Sequence, residues 1–172
     1  MKRVICLVAA LTALVLAPLG YSSERVGDFA LLDHTGKFQQ LSYYGDHDAV
    51  VMLVNGGAGL ADDGSVATLV QLAKAYTGEA EFWVLNPVGS DNRDSVAERL
   101  LSGGTEIPVL MDESQMVSKS LGIQNLGEVV VIQPATMTLV FRGPLSQLGS
   151  ALGIAPGVMS VGDALVSGPA IE

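Results

Sequence analysis

The fold of this 172-residue chain is decided by Ala49-Val50-Val51-Met52-Leu53-Val54, six consecutive apolar residues. A continuous apolar run of this length is typical of a central strand that is buried on both faces of a sheet. A glycine-rich loop, residues 55–59, follows the run, and the next apolar residues recur at helical spacing until Gly78. The stretch therefore predicts a buried strand, a loop and a helix that packs on the sheet.

The remainder of the chain alternates between strand-like and helix-like segments. In order, the predicted elements are a hairpin over 29–41, a strand at 82–85, a helix over 91–101, a strand at 107–111, a short helix carrying Val117 and Leu121 that Gly122 ends, a hairpin of 129–132 with 137–141, a loose connection over 144–157, and a final helical turn within 160–166. Glu113 or Ser114 is expected to cap the short helix. The order predicts an α/β domain with a central mixed β-sheet, helices on both faces and an N-terminal β-hairpin.

The first 22 residues have the pattern of an export signal. A positively charged start, Lys2-Arg3, precedes a mostly apolar run over 4–19. That run is shorter than the roughly 20 residues of a membrane span, and no stop-transfer charges follow it. We therefore expect cleavage before Ser23, a periplasmic or secreted protein, and one domain over 23–172 that is loose from about residue 144 and does not insert into a membrane. An uncleaved membrane anchor is the alternative.

Composition limits the chemistry of the mature form. Cleavage removes Cys6, the only cysteine, so the mature chain has neither a thiol nor a disulfide. A protein without a thiolate cannot carry out thiol–disulfide exchange or thiol-based reduction of a peroxide. The formal net charge is −9 and becomes more negative when Lys2 and Arg3 leave. This acidity argues against nucleic acid and anionic lipid as partners, because both bind cationic surfaces.

Four segments, in order and in spacing, resemble the thioredoxin-like redoxins, the group that includes the alkyl hydroperoxide reductase and thiol-specific antioxidant domains. They are FALLDHTGKFQQLS at 29–42, AVVMLV at 49–54, IPVLMDESQMVSKSLGI at 107–123 and EVVVIQPATMTLVFRG at 128–143. The resemblance covers about residues 26–145. It implies a thioredoxin-like fold and, by descent, a thiol-disulfide oxidoreductase or a peroxide reductase.

The chain departs from this family where the family carries its chemistry. In redoxins a cysteine, often in a Cys-x-x-Cys motif, stands at the start of the helix after the first buried strand, where free N–H groups lower its pKa. The matching positions here are Gly59, Leu60, Ala61 and Asp62, with glycine at the attacking position. Gly127 replaces the cis-proline that faces the thiol in the family. The resemblance therefore implies a degenerate, cysteine-less site with no catalytic residue, as in a pseudoenzyme.

Charged residues near this site have more than one interpretation. Asp62 and Asp63 lie at the predicted helix start, where a carboxylate caps free N–H groups. If the two loops meet as the resemblance implies, Glu128 approaches them, and a bound hard cation such as calcium is the alternative; the ligand set is incomplete, so we assign no metal site. Arg142 matches an Arg-Gly of the family and is either a solvated strand-end residue or part of a binding rim. Residues 57–62 match the dinucleotide fingerprint only in part, and their carboxylates would repel a pyrophosphate, so no cofactor is expected.

The aromatic and imidazole side chains are predicted to be structural. Trp83 lies on a predicted buried strand and is expected in the core. His34 and His47 fall in a hairpin turn and in an acidic loop, so both are expected to be solvated.

The function that these observations favour is non-catalytic. We expect an exported binding or scaffolding module that holds an unknown exported protein or peptide in a groove between the loops at 55–63 and 125–128, with Asp63, Glu128 and Arg142 at its rim. The alternatives are an oxidoreductase of the redoxin family, and a small-molecule or metal carrier that uses the glycine-rich loop. Redoxins often dimerise, so a homodimer is a further expectation.

Overall fold

A computed structural model describes residues 24–62, 64–103 and 106–148. The predicted signal segment, Asp63 and the predicted final helical turn lie outside the described residues. The strands are β1 (Glu24–Arg25), β2 (Ala30–Leu32), β3 (Phe38–Gln40), β4 (Ala49–Val54), β5 (Ala80–Asn86), β6 (Val109–Met111), β7 (Glu128–Gln133) and β8 (Thr138–Pro144). The α-helices are α1 (Gly59–Asp62), α2 (Ser65–Ala75), α3 (Arg93–Ser102) and α4 (Met116–Ser120), and short 3-10 helices occupy Leu41–Tyr44 and Leu145–Gln147. None of the helices in the described ranges is long and apolar enough to cross a bilayer.

Six strands form one mixed sheet in the order β1-β8-β7-β4-β5-β6. The β4–β5 and β5–β6 pairs are parallel, whereas β7 pairs antiparallel with both β4 and β8. Strands β2 and β3 form a separate antiparallel hairpin. The predicted mixed sheet and the predicted N-terminal hairpin are confirmed.

Strand β4 is buried along its whole length because helices cover both faces of the sheet. Val51 and Leu53 belong to a core cluster that includes the buried residues of α2 and α3. Val50 and Met52 point to the other face and belong to a cluster with Trp83 and with Val117 of α4. Alternate side chains of a strand face opposite sides of its sheet, so this one apolar run supplies both cores. The burial predicted for Trp83 is confirmed, since its exposed fraction is 0%.

Two helices follow β4, where the sequence indicated one helix that starts near Asp62. The first, α1, ends at Asp62, and the second, α2, has Gly64 as its N-cap residue. Gly64 has a left-handed backbone with φ of 71°, which separates the two helices and which glycine adopts without strain. The N-cap residue of α2 is thus a glycine, while the side chains of Asp62 and Asp63 lie outside the described residues and their predicted capping role stays a prediction.

The other helix starts depend on side chains that close a turn. At α4 the prediction of Glu113 or Ser114 as the cap is wrong: Gln115 is the N-cap residue, and the Asp112 carboxylate accepts hydrogen bonds from the backbone N–H of Ser118 (2.8 Å). At α3 a capping box joins Asn92 and Ser95. The predicted helix start at Asp91 is thus two residues early, and Asp91 is left outside the cap.

The hairpin of β2 and β3 covers the outer edge of β6. Asp33 forms a β-bridge with Leu110, and the N–H of His34 donates to the carbonyl of Val109 at 2.8 Å. His34 is partly buried at this contact, so the prediction that it is solvated is wrong. The turn that carries it packs on the sheet instead of extending into water.

Candidate functional site

The candidate site lies where β4 and β5 end. Because the two strands are parallel and Val54 pairs with Leu85, the residues that follow, Asn55 and Asn86, emerge side by side at the carboxyl edge of the sheet. Both asparagines are buried, with exposed fractions of 2% and 1%. Buried amide side chains require hydrogen-bond partners, and the loops after the two strands supply them.

Asn55 ties the end of β4 to the starts of two helices. Its Nδ2 donates to the carbonyl of Gly59 at 3.1 Å and to the hydroxyl of Ser65 at 3.0 Å. Its Oδ1 accepts the N–H of Gly56 at 2.7 Å. The loop that carries the cysteine motif in redoxins is therefore fixed here by one amide side chain.

The carboxylate of Asp91 accepts hydrogen bonds from the end of β5, from the loop after β4 and from helix α3. Its Oδ2 accepts from Asn86 Nδ2 at 2.9 Å and from the N–H of Gly57 at 2.7 Å. Its Oδ1 accepts from Arg99 Nη1 at 2.7 Å, an ion pair in which the carboxylate is almost completely buried. Burial raises the pKa of Asp91, but the hydrogen bonds from Arg99, Asn86 and Gly57 together with the charge of Arg99 outweigh it and hold the pKa below its ordinary value.

We refer to Asn55, Asn86, Asp91 and Arg99 as the amide–carboxylate cluster. The sequence does not reveal this cluster, because the four residues are spread over 45 positions and follow no motif. The usable signal was an asparagine directly after each of two predicted buried strands. When such a polar residue is buried at the carboxyl edge of parallel strands, the nearby loops supply its hydrogen-bond partners.

The cluster fills the space that a side chain at the attacking position would need. A Cβ added to Gly59 would lie 2.4 Å from Asn55 Oδ1, and one added to Gly56 would lie 2.2 Å from Asn86 Oδ1. Both distances are far below a van der Waals contact. A cysteine at Gly59 would therefore displace an amide that already makes hydrogen bonds.

The other positions of the degenerate motif have ordinary structural roles. Leu60 is buried in the core on the α2 face, and Ala61 is exposed. Asp62 is the last residue of α1. Asp63 lies outside the described residues, so its predicted place on a groove rim stays a prediction.

Gly127 keeps the facing loop close to β4 by a different backbone from that of a cis-proline. Among the described residues there is no cis peptide bond, and Gly127 has φ of 86°. Its N–H donates to the carbonyl of Val54 at 2.7 Å. Glycine adopts this positive φ without the strain that a side chain would introduce.

Glu128 stabilises its own loop. Its carboxylate accepts from Asn125 Nδ2 at 2.9 Å and from the N–H of Gln124 at 3.5 Å. No group of three acidic, histidine or cysteine side chains in the described ranges is placed to hold a metal ion. The cation site suggested for Asp62, Asp63 and Glu128 also involves side chains that the structure does not describe, and it stays a hypothesis.

Arg142 lies on β8 and reaches the end of α4. Its Nη1 donates to the carbonyl of Leu121 and lies 3.9 Å from Glu24 Oε2. A cation at the carboxyl end of a helix interacts favourably with the free carbonyl groups there. Arg142 also lines an open cavity of about 630 Å³ between the loop at 122–128 and the end of β8.

A second cavity, of about 250 Å³, lies between the loop before β7 and α4; we call it the α4 groove. Val54, Pro87, Gln115, Ser118, Lys119, Ile123, Gln124, Asn125 and Leu126 line it. Leu126 has an exposed fraction of 53% at one side of the groove, and Lys119 is the only charged residue among its described lining. The sequence predicted a groove between the loops at 55–63 and 125–128, and the α4 groove lies on the side of the second loop that faces α4. A groove that also includes the loop at 55–63 stays a prediction.

No protein-family model matches the chain, and no curated protein is significantly similar to it in sequence. Solved structures are similar in fold. An uncharacterized conserved protein from Geobacillus kaustophilus is 21% identical, with 72% of this chain and 68% of that chain covered and a TM-score of 0.63. Peroxidoxin BcpB from Mycobacterium tuberculosis is 18% identical, with 84% and 93% covered and a TM-score of 0.59.

A third structure is from Chlorobium tepidum and is described as a thiol:disulfide interchange protein, DsbE. It is 15% identical to this chain, with 71% of this chain and 84% of that chain covered and a TM-score of 0.58. At such identities the likeness establishes the fold alone. The chain has a thioredoxin-like fold, as the resemblance implied.

Proposed function

We propose that this protein is an exported, non-catalytic thioredoxin-fold module that binds an extended segment of a partner protein. One observation carries the non-catalytic part: the position that matches the attacking cysteine is Gly59, and the space beside its Cα is filled by the hydrogen-bonded amide of Asn55. A thiolate needs both a sulfur atom and room at the helix start, and this loop provides neither.

The amide–carboxylate cluster supports this proposal because its polar groups are engaged in structure. Asp91 is ionised, buried and bonded to three partners, and it is therefore a poor general base or nucleophile. Within the described residues no buried side-chain nitrogen or oxygen lacks a partner. A catalytic group waiting for a substrate would be expected to stand out as an exception.

The α4 groove supports the binding part. It combines apolar walls, formed by Val54, Ile123 and Leu126, with amide side chains that can bond to a peptide backbone. Exposed apolar residues beside a groove are typical of interaction sites. Export is supported by the charged and apolar pattern of the first 22 residues.

Activity assays test the non-catalytic part. Mature protein, residues 23–172, is expected to reduce insulin disulfides and to consume hydrogen peroxide at the rate of a buffer blank. A catalytically active redoxin serves as the positive control. Activity of the mature chain above the blank would contradict the proposal.

Two matched aspartate variants test the binding part. Peptides are selected from a displayed random library against the mature protein, and their affinities are then measured by fluorescence anisotropy. Leu126→Asp should weaken binding by about tenfold or more, because it places a charge at an apolar contact. Leu32→Asp is the control, since Leu32 is exposed to a similar extent (47%) but lies on the hairpin away from the groove. Equal binding to the wild type and to Leu126→Asp would place the peptide site elsewhere.

The second candidate function is a thiol or peroxide oxidoreductase, and the similarity to structures described as a peroxidoxin and a thiol:disulfide interchange protein favours it. It requires a nucleophile, and Cys6 is the only cysteine of the chain, outside the described residues. An uncleaved chain whose activity disappears on Cys6→Ser would support this candidate.

A further inference from the structure

The edge strand β6 donates one of its backbone hydrogen bonds to an imidazole. The backbone N–H of Val109 donates to Nδ1 of His34 at 3.3 Å, and the N–H of His34 donates back to the carbonyl of Val109 at 2.8 Å. The His34 side chain thus satisfies a group that would otherwise be open to water or to another strand. Exposed edge groups of this kind are templates for pairing with a further chain.

This geometry fixes the protonation state of the ring. A ring nitrogen accepts a hydrogen bond only when it carries no proton, so Nδ1 is bare and Nε2 carries the hydrogen. Protonation would place a hydrogen on Nδ1, directly against the N–H of Val109. Two donors would then face each other, and the bond would be lost.

Burial and the neighbouring charge act on the protonation of His34 in opposite directions. Asp33 adjoins the ring, but its carboxylate is engaged with Thr35, Lys37 and Gln39. Burial lowers the pKa of His34, and the charge of Asp33 only partly opposes this effect.

Other elements contribute few charges to this surface. A cavity of about 390 Å³ adjoins the ring, and Glu106 is the only other charged residue among its described lining. Helix α3 presents apolar residues to the cavity, and Arg93 at its start approaches the hairpin turn at Gly36.

We propose that the neutral imidazole of His34 is an acid-sensitive latch that helps to hold the β2–β3 hairpin against the outer edge of β6. Above the transition the ring covers the amide of Val109. Below it the imidazolium releases this amide, and the edge of the six-stranded sheet becomes accessible to solvent and to an extended segment of another chain. The latch does not involve the α4 groove, so the experiments that test it are independent of those that test the proposed function.

Hydrogen exchange of the Val109 amide in the mature protein tests the latch. Its protection factor, corrected for the intrinsic pH dependence of exchange, should fall by roughly fivefold to tenfold between about pH 7.5 and about pH 5, since one hydrogen bond is lost. His34→Asn should keep the protection constant, because an amide oxygen can accept the same bond and does not titrate in this range. His47→Asn is the control and should leave the wild-type pH dependence in place.

Imidazole ¹⁵N chemical shifts of the wild-type protein provide a measurement that needs no variant. At about pH 7.5 they should show His34 with an unprotonated Nδ1 and a protonated Nε2. A protonated Nδ1 at that pH would overturn the proposal. So would protection of the Val109 amide that does not change with pH, or the same loss of protection in His34→Asn.

Discussion

The two loops that meet at the carboxyl edge of the sheet have opposite character. In the loop after β4, the backbone of Gly56, Gly57 and Gly59 is bonded to buried side chains of the amide–carboxylate cluster. In the loop before β7, Leu126 is half-exposed beside the α4 groove. The comparison shows that the place matching the redox site is closed by polar bonds, while the surface next to it offers apolar contacts. The surface beside the α4 groove therefore offers contacts for binding, whereas the position that matches the attacking cysteine holds Gly59 beside the amide of Asn55.

The difference has a physical basis. Buried polar groups stabilise a structure only as a complete set, because removing one member leaves its partners unsatisfied in a medium of low dielectric. An exposed apolar residue can be replaced without leaving a buried polar group unsatisfied. Substitutions in the first loop should therefore change the free energy of unfolding, and those in the second should change binding.

The largest effect is expected for Arg99→Ala. It leaves the buried carboxylate of Asp91 without its ion pair, and breaking such a pair should lower the free energy of unfolding by about 3 kcal/mol. Urea denaturation of the mature protein measures this loss. Arg93→Ala, an exposed arginine on the same helix, is the control and should change stability by no more than about 0.5 kcal/mol. Equal losses for the two variants would show that the ion pair does not stabilise the loop.

A smaller loss is expected for Gly59→Ala. The new Cβ must displace Asn55, and overpacking of this kind costs about 1–3 kcal/mol. In the background of Asn55→Ala the same substitution should be less harmful, since the obstructing oxygen is absent, and a double-mutant cycle measures the difference. Gly27→Ala is the control, because a Cβ there meets no atom within 4 Å. Additive effects in the cycle would contradict a direct clash.

The pH dependence of stability is a further test of the contrast between the two loops. The pKa of Asp91 is lowered from 3.8 in the folded protein, so its ionised form contributes stability that is fully present above about pH 4 and is lost as the pH falls through the folded value. The unfolding free energy of the wild type should exceed that of Asp91→Asn at about pH 5, and this excess should shrink towards about pH 3. Denaturation at several pH values checks it. A difference in unfolding free energy that does not change with pH would contradict the inference that these hydrogen bonds favour the ionised form of Asp91.

The smallest effect is expected in the loop before β7. Leu126→Ala removes a half-exposed side chain and should change the free energy of unfolding by no more than about 0.5 kcal/mol. The same denaturation experiment measures it. A loss comparable to that of Arg99→Ala would place Leu126 in the core and remove the contrast between the two loops.

Much of the fold could be predicted from the sequence, because its signals are local. The apolar run of β4 and the turn glycines specify strands and connections within short windows. The caps of α2 and α4 could not be predicted in this way. Gly64 and Gln115 act there through left-handed backbone conformations, which are chosen by the packing of neighbouring elements.

For the candidate site, the sequence predicted only which residue type is missing. The sequence shows that no cysteine stands near Gly59, but not that Asn55 occupies the adjoining space. It also gave no sign that His34 would bond to β6 across 75 positions of chain. Contacts between distant residues leave no periodic pattern, and polar side chains can always be satisfied by water until the fold excludes it.

By itself the sequence determined that a buried strand leads into a glycine-rich loop without sulfur, since composition and hydrophobic runs are properties of the chain alone. Only the tertiary structure decided that Asn55, Asn86, Asp91 and Arg99 converge there. Parallel pairing of β4 and β5 brings two strand ends to one edge, and the α3 helix returns an arginine to the same place. The physical reason is that burial removes water from this edge, so that the polar groups of the loops must bond to one another.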